Sequence, residues 1–122
     1  MSTYVVLLTG DETVWEKVDA EQQASVFAKH EEFARLLAAR GHQLAGGEEL
    51  KPSQGTKKIT PGADGKLTVT DGPYAETVEQ LGGFYLVESD DLEDLIEICG
   101  VLAESHGAIE VRAAVDHSGN GG

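Results

Sequence analysis

Hydrophobic and polar positions along the chain follow two periods, one typical of β-strands and one typical of α-helices. Short apolar runs and two-residue alternation predict four strands, and two further segments resemble hairpin arms around a Gly- and Pro-containing turn. The predicted strands and arms are residues 4–9, 42–46, 56–60, 66–70, 83–88 and 109–115.

Two segments have the apolar spacing of amphipathic helices. The first covers residues 20–40, and Gly41 is its expected C-terminal cap. The second begins at Ser89–Glu93, where Asp90 is expected to cap the helix with Glu93 three residues later, and it ends at Gly107. The apolar stripes are Val26, His30, Phe33, Ala34 and Leu37 on the first helix, and Leu92, Leu95, Ile96, Cys99, Leu102 and Ala103 on the second.

The order strand, helix, strand, hairpin, strand, helix, strand predicts an α+β fold. We expect a ferredoxin-like sheet with both helices on one face and the β-hairpin as an insertion. Tyr4, Val6 and Leu8 alternate with Val5 and Leu7, so the first strand is apolar on both faces. An apolar sheet face without helices usually meets a partner, and we expect a homodimer packed sheet against sheet.

Composition narrows the function classes. A chain of 122 residues fits one domain, which we place at residues 1–116, followed by a disordered tail at residues 117–122. Its formal charge of −13 argues against nucleic-acid and anionic-membrane partners. One cysteine, no membrane-length apolar run and no signal-like N-terminus favour a cytoplasmic protein.

His30 and Asp71 are the candidate catalytic residues. His30 lies on the apolar stripe of the first helix, where a neutral imidazole could transfer protons or simply be a core side chain. Asp71 opens an Asp-Gly-Pro turn, so it either shapes that turn or orients His30. Glu76 is close enough in sequence to point into the same cleft.

Further polar residues are candidates for substrate binding. Tyr74 and Tyr85 could place hydroxyl groups in the pocket or pack in the core. Arg112 and Glu110 share one strand face, where they form either an anion clamp or a surface ion pair. Phosphate loops, dinucleotide fingerprints and metal-ligand spacings are absent from the sequence, so we expect neither a cofactor nor a metal.

One long motif carries a family resemblance. Asp71-Gly-Pro-Tyr-Ala-Glu-Thr-Val-Glu-Gln-Leu-Gly-Gly-Phe-Tyr-Leu86 resembles the signature of the DGPF subgroup of the YCII-related family. Agreement extends over nearly the whole chain, through Tyr4-Val-Val-Leu-Leu8, Gly10-Asp-Glu12, Arg40-Gly41, Leu44-Ala-Gly46 and Glu110-Val-Arg112. Tyr74 stands where the subgroup usually has Phe, and Val78 stands where Lys is common.

The resemblance implies a dimeric α+β barrel with a His and Asp pair in a cleft. The position of His30 eleven residues before Gly41 resembles that of the YCII histidine. The YCII acid falls near the second helix, where this chain has Ile98-Cys-Gly-Val101, so Asp71 is the candidate partner and Glu76 the reserve.

Two functions follow from these observations. One is a small cofactor-independent enzyme in which His30 and Asp71 transfer protons on a small organic substrate. The other is a non-catalytic dimeric module that binds a small molecule or a regulatory partner. An alternative sigma factor is one such partner, because similar proteins are often encoded beside one.

Overall fold

The computed structural model describes residues 1–71 and 80–117, and the predicted tail beyond residue 117 lies outside them. The elements are β1 (Ser2–Gly10), α1 (Glu12–Trp15), α2 (Ala20–Ala39), β2 (Gln43–Glu49), β3 (Lys57–Pro61), β4 (Leu67–Asp71), β5 (Gln80–Ser89), α3 (Leu92–His106) and β6 (Ile109–Ala113), with a short 3₁₀ turn at Ser53–Gly55. This order confirms the predicted α+β architecture. None of the described helices has both the length and the hydropathy needed to span a membrane.

Four strands form one antiparallel sheet in the order β2, β5, β1, β6. Val6 in β1 lies opposite Tyr85 on one side and Val111 on the other, so these three side chains share a face. The strand order with its two long crossover helices is that of a ferredoxin-like fold.

The hydrophobic core lies between this sheet and the helices α2 and α3. Its buried residues are Val6, Leu8, Phe33, Leu37, Val87, Leu95, Ile98, Cys99 and Leu102. Of the stripe predicted on α3, Leu95, Cys99 and Leu102 are buried. The prediction was wrong at four positions, because Leu92, Ile96 and Ala103 are exposed and Ile98, which the stripe omitted, is buried. The helix rests on the sheet through residues 95, 98, 99 and 102, and this set leaves position 96 on the solvent side.

The helix ends follow their local hydrogen bonds. Asp19 and Gln22 form a reciprocal capping box at the start of α2, and Gly41, with φ of 85°, follows its end as predicted. For α3 the predicted cap was wrong by one residue, because the Asp91 carboxylate accepts from the Asp94 N–H at 3.1 Å. Asp90 instead pairs with the N-terminal ammonium group.

None of the helices in the described part of the chain covers the other face of the four-stranded sheet. The register places Val5 opposite Leu86, and Leu7 opposite Phe84. These four half-exposed side chains alternate with the core residues of the same strands. Glu48 and Glu110 lie beside Phe84 and Leu7 in the adjoining strands, so carboxylates border this outer surface (Val5, Leu7, Phe84 and Leu86) on both sides.

The predicted hairpin is a separate two-stranded sheet, here named the hairpin arm (residues 57–71). Its register puts Ile59 opposite Val69, and Pro61 opposite Leu67, so one face of the ribbon is apolar apart from the pair of Lys57 with Asp71 at its end. The opposite face carries the pairs of Thr60 with Thr68 and of Lys58 with Thr70. Every residue of β3 and β4 is exposed.

Candidate functional site

His30 stands at the meeting point of α2, β5 and α3. Its Nδ1 lies 2.6 Å from the Tyr85 hydroxyl, and its Nε2 lies 2.7 Å from Nε2 of His106. Both distances are those of strong hydrogen bonds. All three side chains are half-buried, and we call them the His30 cluster (His30, Tyr85 and His106).

Each hydrogen bond in the His30 cluster needs one donor and one acceptor. A neutral imidazole has one N–H and one lone pair, so His30 donates on one side and accepts on the other. In one arrangement Tyr85 donates to His30, and His30 donates to His106. In the other, His106 donates to His30, and His30 donates to Tyr85. The cluster therefore has two neutral hydrogen-bond arrangements, which differ in the direction of donation.

The surroundings favour the neutral forms. Burial lowers the pKa of His30, and the electrostatic influence of the neighbouring His106 lowers it further. Burial also lowers the pKa of His106. The pKa of Tyr85 is raised, first by burial and then by the negative charge of Glu49. All three shifts oppose ionisation, so the neutral forms of His30, Tyr85 and His106 are favoured.

Aromatic side chains frame the cluster on two sides. The Phe33 ring lies 5.0 Å from the Tyr85 ring and closes the cluster toward the core. Trp15, at the end of the short helix α1, lies 6.4 Å from His106 and is exposed. Because Trp15 is the single tryptophan of the chain, its fluorescence reports on this site.

The structure brings together two of the predicted site residues, His30 and Tyr85. Asp71 lies at the end of β4 on the exposed hairpin arm, where its carboxylate pairs with Lys57. The hydrogen bonds of His30 to described residues go to Tyr85 and His106 instead. In the single chain, the predicted pair of His30 with Asp71 is not formed.

The remaining predicted site residues do not lie in the His30 cluster of the described structure. Tyr74 and Glu76 fall within residues 72–79, outside the described residues, as does most of the Asp-Gly-Pro motif. Arg112 is exposed on β6 and lies opposite Val5, so it borders the outer surface rather than the His30 cluster.

Sequence reasoning missed His106 and Trp15. His106 is in the last turn of α3, and its place beside His30 depends on the register between two helices. The same register is marked by the ion pair of Lys29 with Glu104, at 2.6 Å. A charge pair of this kind between the two predicted helices is the signal that could have indicated the contact.

A second histidine network lies under the other end of α3. The Nδ1 of His42 is 2.8 Å from the Ser89 hydroxyl, and its Nε2 is 2.7 Å from the Asp94 carboxylate. Arg40 pairs with Asp94 and lies 3.6 Å from Glu97. We call this set the His42 network (Arg40, His42, Ser89 and Asp94).

The His42 network has the residue types of a Ser-His-Asp triad but not the access that catalysis needs. Ser89 and His42 are 1% and 6% exposed. The Ser89 hydroxyl is also bonded to the backbone N–H and carbonyl of Asp91, at 3.0 and 3.1 Å. A substrate cannot reach this hydroxyl, so the network is a structural link between the turn that connects α2 to β2, strand β5 and helix α3.

The cysteine and the potential metal ligands of the described residues add no further group to the His30 cluster. Cys99 is buried in the core as predicted, and burial raises the pKa of its thiol to about 11. Within residues 1–71 and 80–117, no three His, Cys, Asp or Glu side chains gather in a way that could hold a metal ion.

Comparison with known proteins identifies the family. The model of the YCII-related domain matches residues 2–116 of the chain. The chain belongs to the YCII-related family. It is also similar to an uncharacterized protein of Rhizobium meliloti (strain 1021), with 31% identity over 112 residues and 89% of each chain covered. The family match contains all the strands and helices described above, and both histidine networks.

Proposed function

We propose that this YCII-related protein is a small cofactor-independent enzyme that transfers protons on a small organic substrate. The observation that carries the proposal is the placement of His30, hydrogen-bonded through one ring nitrogen to Tyr85 and through the other to His106. A histidine in this position relays a proton between two groups instead of acting alone.

The relay favours isomerisation, because it can accept one proton and return another. In the starting state His106 donates to His30, His30 donates to Tyr85, and Tyr85 is free to donate its hydroxyl proton to the substrate. The Nδ1 of His106 takes a proton from the substrate as its Nε2 proton moves to His30. His30 passes its Nδ1 proton to Tyr85, which protonates the substrate at a second atom.

This sequence moves one proton into the protein and one out, so neither imidazole remains charged. The lowered pKa values of His30 and His106 are consistent with such a path, because they disfavour a lasting imidazolium. Proton exchange with solvent restores the starting state. In this scheme Tyr85 and His106 orient His30, the role that the sequence suggested for Asp71.

Deuterium exchange tests the proposed enzyme without knowledge of its substrate. A panel of small 2-oxo acids, 3-oxo acids and unsaturated lactones is incubated with the protein in D₂O, and deuterium uptake beside the carbonyl group is followed by NMR. We expect at least one compound to exchange faster than in buffer. His30→Gln and Tyr85→Phe should each lower that rate by roughly 10²- to 10⁴-fold.

His117→Gln is the matched control, because this histidine is exposed and follows the last strand, β6, outside the cluster. It should leave the exchange rate unchanged. If no compound exchanges faster than in buffer, or if His30→Gln retains the full rate, the proposed enzyme is wrong.

A non-catalytic dimeric binding module is the second candidate function. Both ring nitrogens of His30 are already bonded within the chain, so a ligand would meet Tyr85, His106 and Trp15 without contacting His30. The charge of −13 suits a regulatory partner with a basic surface. A change in Trp15 fluorescence on adding a panel compound, without any exchange, would favour this function.

The outer surface supports a homodimer, as part of the same proposal. Val5, Leu7, Phe84 and Leu86 form a continuous apolar patch at the centre of the sheet, and no described helix covers it. A second copy packed sheet against sheet would cover it in a closed two-fold dimer, which we place in the cytoplasm. Sedimentation of wild type and Leu7→Glu at micromolar concentrations tests this, with a dimer and a monomer as the expected results.

A further inference from the structure

We infer that the hairpin arm is a dimerisation arm that lays its apolar face on a second copy of this chain. The inference rests on the homodimer proposed above and adds a contact that the four-stranded sheet does not provide. The occupant is a second copy, on which the apolar side chains of the arm continue the contact made by the outer surface.

The apolar face of the arm is uncovered in the single chain. Ile59, Leu67 and Val69 are 63%, 69% and 61% exposed, although β-strand pairing aligns them on one side of the ribbon. A two-stranded ribbon is only marginally stable in water unless its apolar side packs against something else. A sequence that alternates apolar and polar residues this regularly therefore fits a ribbon whose apolar side becomes covered.

The base of the arm is held in place by hydrogen bonds. The Glu12 carboxylate accepts from both the backbone N–H and the hydroxyl of Ser53, at 2.8 and 2.6 Å. The Leu50 N–H donates to the Gly82 carbonyl at 2.9 Å. The chain leading into the arm is thus attached to the body of the protein at residues 50 and 53.

Charge indicates that the partner is another copy. The hairpin arm contains three lysines and two aspartates, a formal charge of +1, and Lys51 lies just before it, whereas the chain outside the arm carries −14. A basic segment attached to an acidic body is complementary to the body of an identical molecule. In a two-fold dimer each copy gives one arm and receives one, so this complementarity is satisfied twice.

Paired variants on the two faces of the arm test the inference by sedimentation equilibrium. Ile59→Ser with Val69→Ser removes the apolar face, and we expect the dimer Kd to rise by roughly 10- to 100-fold because two arms per dimer lose their contact. The matched control, Thr60→Ser with Thr68→Ser, changes the opposite face of the same two strands. It should leave the Kd within about twofold of wild type.

A second measurement uses wild type and does not depend on the folding of any variant. Dimers are mixed from one ¹³C-methyl-labelled and one unlabelled copy, and filtered NOE spectra report contacts between copies. We expect intermolecular NOEs to the methyl groups of Ile59, Leu67 and Val69. Their absence in a wild-type dimer overturns the inference.

The sheet variant separates failure of the arm from failure of the dimer. If wild type is a dimer and Leu7→Glu a monomer, but the arm variant keeps the wild-type Kd, the sheet dimer stands and the arm is wrong. If wild type is a monomer at 100 μM, the homodimer and the arm are both wrong. The proton-transfer proposal is tested separately by deuterium exchange.

Discussion

The two histidine networks of this protein have almost the same hydrogen-bond lengths but opposite surroundings. His42 is buried and bonded to a carboxylate and a hydroxyl, and Arg40 balances the carboxylate charge. His30 is half-buried and bonded to another imidazole and to a phenol. The first network is charged and sealed, and the second is neutral and borders an exposed tryptophan.

This difference shows that the types of donor and acceptor alone do not identify a functional site. The His42 network contains the residues of a familiar catalytic triad, yet its serine is enclosed by backbone hydrogen bonds. The His30 cluster contains no acid, yet its groups can exchange protons near neutral pH. Access and protonation state separate the structural network from the candidate functional one.

The largest expected effect is the loss of stability on replacing His42. His42→Ala removes two buried hydrogen bonds, leaves the Ser89 and Asp94 groups without this partner, and opens a cavity. We expect the free energy of unfolding to fall by about 3 kcal/mol, and the midpoint of thermal unfolding to fall by about 10 °C. Urea denaturation of the variant and of the exposed control His117→Ala provides the measurement.

A smaller effect is expected at the matching position of the His30 cluster. His30→Ala should lower the free energy of unfolding by about 1 kcal/mol, because water can reach the partners that it leaves behind. The same urea denaturation, run beside His42→Ala, compares the two networks directly. Equal losses for the two variants would contradict the distinction between a structural and a functional network.

The two networks should also respond to acid in different pH ranges. Burial lowers the pKa of His30 and His106 in the folded protein below the ordinary value of about 6.5, so the unfolded chain binds more protons near that pH. Their contribution to stability is complete above pH 6.5 and is lost as the pH falls toward the lowered values. His106→Gln should flatten this part of the stability curve.

The contribution of Asp94 to stability should change at a lower pH than that of the two histidines. The hydrogen bond from His42, aided by Arg40, holds the pKa of the Asp94 carboxyl below its ordinary value. Its contribution is present above the unfolded pKa of about 4 and is lost as the pH falls through the folded value. Asp94→Asn should remove this acid-dependent part while leaving the slope near pH 6 as in wild type, measured by urea denaturation across both ranges.

The smallest expected effect on stability is that of Tyr85→Phe. The ring still packs on Phe33, and only the hydroxyl that bonds His30 is removed. We expect a change below about 1 kcal/mol in the free energy of unfolding, together with a large loss in the exchange assay. A stability loss as large as that of His42→Ala would indicate that the His30 cluster is also a structural link.

The fold was predictable because the spacing of apolar residues in the main strands and helices matches the period of each element. The continuous apolar run in β1, the alternation in β6 and the helical spacing in α2 and α3 were enough to predict the ferredoxin-like order of elements. One error came from two neighbouring aspartates that could both cap α3. Asp91 rather than Asp90 is the cap, because its carboxylate accepts from the Asp94 N–H. The exposure of Ile96 depends on how the helix rests on the sheet, which its own sequence does not encode.

The candidate site was only partly predictable. His30 could be singled out because a titratable side chain on an apolar stripe is unusual, and Tyr85 because it lies in a central strand. Predicting the contact of His106 with His30 would have required the register between α2 and α3. The periodicity within one helix does not contain that information. Asp71 was assigned to His30 from a motif, but the hairpin carries it to a separate sheet, where Lys57 is its partner.

The measurement that tests the central claim most directly is an NMR titration of the His30 and His106 side chains in ¹⁵N-labelled protein. We expect both histidines to titrate below 6.5, and the pKa of His30 to rise in His106→Gln because the neighbouring imidazole is gone. A His30 that titrates at or above 6.5 and does not respond to this substitution would contradict the proton relay.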